Sequence, residues 1–271
     1  MNIYGQVGWR SAINVNPVSG QDADALSFIT AAAITDTTQK NAINTLVTDL
    51  KGYGIWSKMK AIYPFVGGTA TTHKFNLKDP RDLDAAYRLT FSGGWTHSST
   101  GALPNGTTGY ANTFYKPSDG LLDSTHMSYY SRTAAPASTA IDMGSYVGTV
   151  YHHAHIKYTG GVMYGLLNTS TVYSTSMPGD VSQGLYTFSK ISSATIQSYK
   201  NGVLKSTLGS TSSSRNTANI YLGAGNNTGI ASQFGTKESA FASIGEGLTN
   251  SESTNLYTAV QKFQTTLGRQ V

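Results

Sequence analysis

Two stretches of the chain carry apolar residues at the three- and four-residue spacing of an amphipathic helix buried on one side. The apolar stripes are Ile43, Leu46, Val47 and Leu50 in the first stretch and Leu256, Tyr257, Val260, Phe263 and Leu267 in the second. The first stretch predicts a helical segment over residues 21–66, including a shorter helix over residues 55–63. The second predicts a closing helix over residues 249–268.

Capping residues support both predicted helices. Asp36 is followed three residues later by Gln39, which has the form of a capping box. Thr249 and Glu252 repeat this spacing before the closing helix. Gly268 stands where a glycine commonly ends a helix. The sequence therefore marks both ends of the closing helix.

Between the helices the pattern changes to the two-residue alternation of strands. Tyr87, Leu89 and Phe91 alternate with polar residues, as in a half-buried strand. A long β-rich run covers residues 145–158, and Asn201-Gly202 is a strong hairpin signal. Many short strands with regular turns are typical of a sandwich or jelly roll.

The pattern divides the chain into three parts. Residues 1–20 have no clear periodicity and are expected to form an extended N-terminal arm. The helical segment, residues 21–66, is too short for an independent core and is expected to pack on the sheet or on another subunit. Residues 67–271 are expected to form a jelly-roll sandwich with the closing helix.

The composition and charge of the chain indicate what kind of surface it has and which classes of partner to expect. Charged residues make up 12% of the chain, about half the usual share, and Ser, Thr, Gly, Asn and Tyr fill the gap. Such neutral, hydroxyl-rich surfaces are typical of extracellular β-proteins and virus particle proteins. The net charge is +5, but the basic residues are scattered, so we expect no nucleic-acid partner.

Several classes of segment and site are not expected. The chain contains no cysteine, so it has neither a disulfide framework nor a thiolate site. No apolar run approaches the roughly 20 residues that a membrane span needs, so we expect no membrane insertion. The first ten residues lack the basic and apolar regions of a signal peptide.

Several segments resemble bacteriophage structural proteins with a concanavalin A-like (laminin G-like) jelly-roll domain. They are DPRDLDAAYRLTF at residues 79–91, GGWTH at 93–97, NGTTGY at 105–110, AFASIGEGL at 240–248 and YTAVQKFQ at 257–264. The resemblance covers most of the chain from about residue 22 onward. It implies a mainly β, concanavalin A-like jelly-roll β-sandwich with an N-terminal helical segment and a C-terminal packing helix.

The same resemblance implies a function. It suggests a phage virion surface protein, as a tail fibre, head fibre or decoration protein, that acts in host attachment or particle assembly. Such a protein would be made in the host cytoplasm, would reside on the virion surface, and would contact other virion proteins as a homo-oligomer. A purely structural capsid or tail assembly protein is an alternative.

A glycoside hydrolase on the same sandwich fold is the other alternative. Retaining enzymes need two carboxylates about 5–5.5 Å apart, which alternating acids on one strand would supply. The only glutamates are Glu238, Glu246 and Glu252, and no aspartate lies between them. We therefore expect no enzyme activity, unless aspartates from different strands converge.

Contact with a host-surface glycan is one candidate mode of attachment. The chain has 17 tyrosines, which give broad and rigid contact area for sugars or proteins. Candidate ligand-binding residues near polar loops are Trp95, His97, Tyr129, Tyr130 and Arg132.

Two groups of residues are candidates for metal binding. Asp79, Asp82 and Asp84 form an acidic loop with the oxygen ligands that calcium favours, so calcium is a possible cofactor; no other cofactor is expected. His153 and His155 share one strand face and would supply two of the ligands that zinc needs.

Overall fold

Two predominantly antiparallel sheets and a layer of helices form the protein, and a computed structural model describes residues 20–177 and 180–271. The predicted N-terminal arm lies, apart from Gly20, outside the described residues.

Four α-helices occur in the described ranges. They are α1 (Ala23–Ala31), α2 (Thr37–Gly52), α3 (Ala70–His73) and α4 (Asn250–Thr266). Short 3₁₀ turns occupy Trp56–Lys58, Asp84–Ala86 and Pro117–Asp119. None of the helices in residues 20–177 and 180–271 has both the length and the apolar character to cross a lipid bilayer.

The same ranges contain 17 strands. In chain order they are β1 (Met59–Tyr63), β2 (Thr90–Ser92), β3 (Trp95–Ser98), β4 (Gly101–Pro104), β5 (Tyr110–Asn112), β6 (Thr125–Ser131), β7 (Met143–Val147), β8 (Val150–Tyr158), β9 (Val162–Thr169), β10 (Thr175–Ser176), β11 (Gly184–Ser192), β12 (Thr195–Lys200), β13 (Val203–Gly209), β14 (Tyr221–Leu222), β15 (Gly225–Asn227), β16 (Ile230–Ser232) and β17 (Ser239–Gly245).

The strands form two sheets. The helix-covered sheet has the order β13-β12-β11-β6-β17-β4-β3, and β1 pairs with β17. The open sheet has the order β10-β9-β8-β7-β14-β5-β2, and the β15–β16 hairpin joins it along β7. This arrangement confirms the predicted mainly β, concanavalin A-like jelly-roll sandwich with accessory helices.

Two apolar cores hold the three layers together. Met127 and Tyr129 on β6 point into the core between the sheets. Their neighbour Tyr130 points to the opposite face, where it joins Phe28 of α1 and Phe263 of α4 in a second core. The helix-covered sheet is therefore buried on both faces, and in residues 20–177 and 180–271 no helix packs on the outer face of the open sheet.

The prediction of a helix over residues 55–63 is wrong, because Met59–Tyr63 is strand β1. This strand faces both cores, with Ile62 toward the helices and Tyr63 between the sheets. A strand buried on both faces is nearly continuously apolar, which periodicity cannot distinguish from a buried helix. On its free edge the Asn76 carboxamide accepts from the Ile62 N–H at 2.9 Å and donates to the Lys60 carbonyl at 3.2 Å.

The predicted strand through Tyr87, Leu89 and Phe91 is shorter than expected, because only Thr90–Ser92 forms β2 and Tyr87 ends a 3₁₀ turn with a φ of +58°. The hairpin signal and one of the two capping boxes are confirmed. Asn201 and Gly202 both have positive φ, as a type I′ hairpin between β12 and β13 requires. Thr249 and Glu252 form the predicted reciprocal capping box of α4. Asp36 caps α2, but the Gln39 side chain accepts from the Gly67 N–H instead of closing the box.

Candidate functional site

An aromatic cleft of about 360 Å³ lies on the free face of the open sheet. Its lining residues, which define the aromatic cleft below, are Tyr146, Tyr151, His153, His155, Tyr158, Tyr164, Leu166, Val172 and Gln233. Six of the nine side chains are tyrosine or histidine rings.

Alternation along β8 places rings on this face. Tyr151, His153 and His155 point outward, because successive side chains of a strand point to opposite faces. Ala154 and Ile156 point inward to the core between the sheets. The neighbouring strands β7 and β9 bring Tyr146 and Tyr164 to the same face, with Tyr164 directly opposite His155.

The rings form a continuous row across three strands. The distances between neighbouring ring centroids are 6.3 Å for Tyr146–Tyr151, 5.4 Å for Tyr151–His153, 4.9 Å for His153–His155, 5.5 Å for His155–Tyr164 and 4.9 Å for Tyr158–Tyr164. Several of these pairs are edge-to-face, a geometry that aromatic rings prefer. Mutual packing therefore fixes the rings without a bound ligand.

A glycine in β7 makes this packing possible. Gly144 has a φ of +143°, and a Cβ atom there would lie 2.3 Å from both Cα and Cβ of His153. Any larger residue would push β7 away from β8. The close approach of the two strands brings Tyr146 to 5.9 Å from the His153 ring.

The hydrogen bonds of the two cleft histidines define their polar atoms. Nδ1 of His155 lies 2.7 Å from the carbonyl oxygen of Ala140. Because a carbonyl oxygen only accepts, Nδ1 carries the proton and Nε2 of the neutral ring is an acceptor. Nδ1 of His153 is buried and has no hydrogen-bond partner in the described part of the chain.

The cleft is uncharged near neutral pH. Burial lowers the pKa of His153 well below its usual value, and the neighbouring His155 lowers it further. Burial also lowers the pKa of His155. No lysine, arginine, aspartate or glutamate lines the cleft among the described residues. The charges of Asp142 and Lys237 act on His155, but these two side chains pair with each other at 2.9 Å and are both 1% exposed.

All 14 acidic residues lie within the described ranges, and each has a structural partner. Asp36 and Asp119 accept from backbone N–H groups. Twelve form ion pairs: Asp22, Asp24, Asp49, Asp79, Asp82, Asp84, Asp123, Asp142, Asp180, Glu238, Glu246 and Glu252. The aromatic cleft therefore holds no pair of carboxylates of the kind that glycoside hydrolysis uses.

The structure places the three predicted calcium ligands in ion pairs. Asp79 binds Arg81, Asp82 binds both Lys74 and Arg88, and Asp84 binds Arg88. The three carboxylates are therefore paired with lysine and arginine side chains of the chain itself. Within residues 20–177 and 180–271, no three histidine or acidic side chains are grouped to hold a metal ion, and His153 and His155 accordingly have no third ligand.

The predicted binding residues do not converge on one site. Tyr129 and Tyr130 are 2% and 0% exposed on opposite faces of β6, so neither contacts ligand from solvent. The described helices cover one face of this sheet and the second sheet covers the other. Arg132 forms an ion pair with Glu238 at 2.9 Å and donates to the carbonyl oxygen of Arg269. It thereby stabilises the C-terminus.

Trp95 and His97 lie together on the edge strand β3 but face structural partners. The Trp95 indole N–H is shared between the carbonyl oxygens of Ser92 and Tyr110, both at 3.2 Å. Nδ1 of His97 lies 2.9 Å from Nδ1 of the buried His73. Neither residue lines the aromatic cleft.

Sequence reasoning missed the tyrosines of the cleft. It placed His153 and His155 on one strand face but assigned them to metal binding. The usable signal was Tyr151 two residues before His153, together with Tyr164 on the next strand. Aromatic residues at alternate positions of neighbouring strands indicate a ring-lined sheet face.

Comparison with known proteins supports the fold. No protein-family model matches the chain, and no curated protein matches it. Three solved structures are similar to this chain. The first is a botulinum neurotoxin type C, whose cell entry depends on interaction with two ganglioside molecules, and the second is a Trypanosoma rangeli sialidase. The third is domain 4 of the arabinanase AbnA from Geobacillus stearothermophilus in complex with arabinotriose.

The similarity is one of architecture. The neurotoxin and sialidase structures each have a TM-score of 0.52 at 11% identity and match 77% and 80% of this chain. The matches span only 52% and 39% of those two chains. The arabinanase domain has a TM-score of 0.46 at 17% identity, covering 73% of this chain and 98% of that domain. The two structures with the higher score share the β-sandwich, and none of the three gives evidence of a bacteriophage origin.

Proposed function

We propose that this protein binds glycans and that the aromatic cleft is its binding site. The observation that carries the proposal is the row of six rings on a sheet face that none of the described helices covers. Sugar rings present C–H faces that pack on aromatic rings, and their hydroxyl groups bond to tyrosine hydroxyls and imidazole nitrogens. The cleft supplies both kinds of contact side by side.

The size of the cleft fits a short saccharide. Ligand sites typically enclose roughly 300–1,000 Å³ and combine apolar walls with a few polar groups. The cleft lies at the lower end of that range. Because the ring row already packs against itself, little side-chain entropy is lost on binding.

Binding is favoured over hydrolysis because the cleft lacks carboxylates. Most retaining and inverting hydrolases use two carboxyl groups flanking the scissile bond. The cleft offers tyrosines, neutral histidines and a carboxamide, and none of these replaces both acids. We therefore assign no covalent chemistry to the site.

The proposal extends to a place on a bacteriophage particle. It is supported by the resemblance of residues 79–91, 93–97 and 105–110 to phage structural proteins and by the low share of charged residues. On a tail or head fibre, the cleft would attach the particle to a host-surface glycan. Immunogold labelling of intact virions tests this extension, and virions that remain unlabelled by several antibodies against different surfaces of the protein would contradict it.

Removing one ring from the cleft is expected to weaken glycan binding. Tyr151→Ala and Tyr164→Ala should each reduce affinity by roughly 5- to 30-fold, since an aromatic contact contributes about 1–2 kcal/mol. A glycan array identifies ligands for the unaltered chain, and calorimetry then measures the variants.

Tyr53→Ala is the matched control for this experiment. Tyr53 is an exposed tyrosine at the end of α2, in the helical layer on the far side of the molecule. Its replacement should leave affinity unchanged. Equal binding by all three variants and the unaltered chain would remove the cleft from the proposal.

A further inference from the structure

We infer that the aromatic cleft selects uncharged glycans and discriminates against those that end in a carboxylate sugar such as sialic acid. This inference rests on the proposed glycan-binding function and names the ligand class of the same site. It is based on the kinds of polar atom that the cleft presents and on the absence of a cation among its described lining residues.

Two cleft atoms are fixed as hydrogen-bond acceptors. Nε2 of His155 is an acceptor because its Nδ1 donates to the carbonyl oxygen of Ala140. The Gln233 carboxamide donates through its nitrogen to the carbonyl oxygen of Thr139 at 3.1 Å, which leaves its oxygen as an acceptor. A sugar hydroxyl satisfies such an acceptor by donating. A carboxylate has no proton to donate and is repelled by both lone pairs.

The remaining polar groups are the ring nitrogens of His153, the second N–H of the Gln233 carboxamide and the tyrosine hydroxyls, which both donate and accept. The hydroxyls along the row of rings belong to Tyr146, Tyr151, Tyr158 and Tyr164. Sugar hydroxyls also both donate and accept, so a neutral saccharide can form hydrogen bonds with the donors and the acceptors of the cleft.

Among the lining residues that the structure describes, no cation compensates an anionic ligand. Lys237 is the basic residue whose charge acts on His155, and it is already paired with the buried Asp142. A carboxylate moved from water into the cleft would lose part of its hydration without gaining an ion pair from a described lining residue, which disfavours its binding. The histidines offer no positive charge, since burial keeps both rings neutral.

The test compares matched saccharides on the full chain. Calorimetry is run with lactose, arabinotriose and other neutral oligosaccharides, and then with the sialylated derivative of each, such as 3′-sialyllactose for lactose. We expect at least one neutral saccharide to bind, its sialylated form to bind at least about 10-fold more weakly, and Tyr164→Ala to weaken the neutral complex.

The outcomes separate this inference from the proposed function. Tighter binding of the sialylated form, lost in Tyr164→Ala, would overturn the inference and leave glycan binding in place. Binding of neutral saccharides that is unaffected by Tyr151→Ala and Tyr164→Ala would overturn the assignment to this cleft. Failure of every saccharide to bind would overturn both.

A charge-addition variant tests the same inference in the opposite direction. Val172 lines the cleft and is 57% exposed, so Val172→Arg adds a cation without burying it. We expect this variant to raise the affinity ratio of sialylated to neutral saccharide by about 10-fold. Val203→Arg is the control, because Val203 is 58% exposed but lies on β13 of the helix-covered sheet. An unchanged ratio in Val172→Arg would contradict the inference.

Discussion

Replacing Arg269 with methionine is expected to lower the free energy of unfolding by about 3–5 kcal/mol, because the buried polar groups around it lose the cation that they bind. Arg269 is 1% exposed, and main-chain and carboxamide oxygens surround its guanidinium group. The distances are 2.7 Å to the Pro64 and Phe65 carbonyls, 2.9 Å to the Ala240 carbonyl and 2.5 Å to the Gln264 side chain.

The position of these partners explains the size of the effect. Pro64 and Phe65 directly follow β1, Ala240 belongs to β17, and Gln264 belongs to α4. One side chain therefore joins the end of the closing helix to two strands of the helix-covered sheet. Burial lowers the pKa of Arg269 to about 9, so the group remains a cation at pH 7.

Lys262→Met on the same helix is the matched control for Arg269→Met. Lys262 is 55% exposed and pairs with Asp49 at the surface, so its loss should cost at most about 1 kcal/mol. Urea unfolding of both variants measures the difference in their free energies of unfolding. Equal stability of the two would show that the buried guanidinium network does not hold the C-terminus.

Acidification from pH 6.5 to pH 5 is expected to destabilise the fold by about 5–8 kcal/mol, a large part of the roughly 5–15 kcal/mol that stabilises a typical domain. Burial lowers the pKa of His73 to about 3 and those of His126 and His152 to about 4, and it lowers that of His153 well below 6.5. In the unfolded chain each histidine titrates near 6.5.

The loss of stability at lower pH follows from the difference in proton binding between the unfolded and native chains. Below pH 6.5 the unfolded chain binds protons that the native chain does not, so falling pH favours unfolding. The stabilising contribution is complete above about pH 6.5 and declines toward the folded pKa values, by up to about 1.4 kcal/mol per pH unit for each histidine.

Urea unfolding at pH 7.5, 6.5, 5.5 and 5.0 measures this dependence. His73→Phe keeps an aromatic ring beside Phe65 and removes the titrating group, so it should reduce the slope by about a quarter. A stability that is flat between pH 7 and pH 5 would show that these rings accept protons without loss of structure.

The sequence predicted the elements that local signals define. Thr249 and Glu252 marked the start of α4, and Asn201-Gly202 marked the β12–β13 hairpin, because capping and turn geometry depend on neighbouring residues alone. It misassigned β1, since a segment buried on both faces has no period that distinguishes strand from helix.

The candidate site depended on strand pairing, which the sequence does not display. Tyr164 meets His155 only through the register of β8 and β9, and a slip of one residue would turn its ring to the other face. Tyr129 and Tyr130 were chosen for their nearness to polar loops, but helices and the second sheet cover both faces of β6. The distinction between core and surface tyrosines came from tertiary packing.

The most direct test of the glycan-binding cleft is an NMR titration that follows the ring signals of the six histidines as the most tightly bound neutral oligosaccharide is added. We expect the signals of His153 and His155 to move to saturation, whereas those of His73 and His126, which are buried away from the cleft, remain in place. Saturable binding that leaves the His153 and His155 signals unchanged would contradict the account.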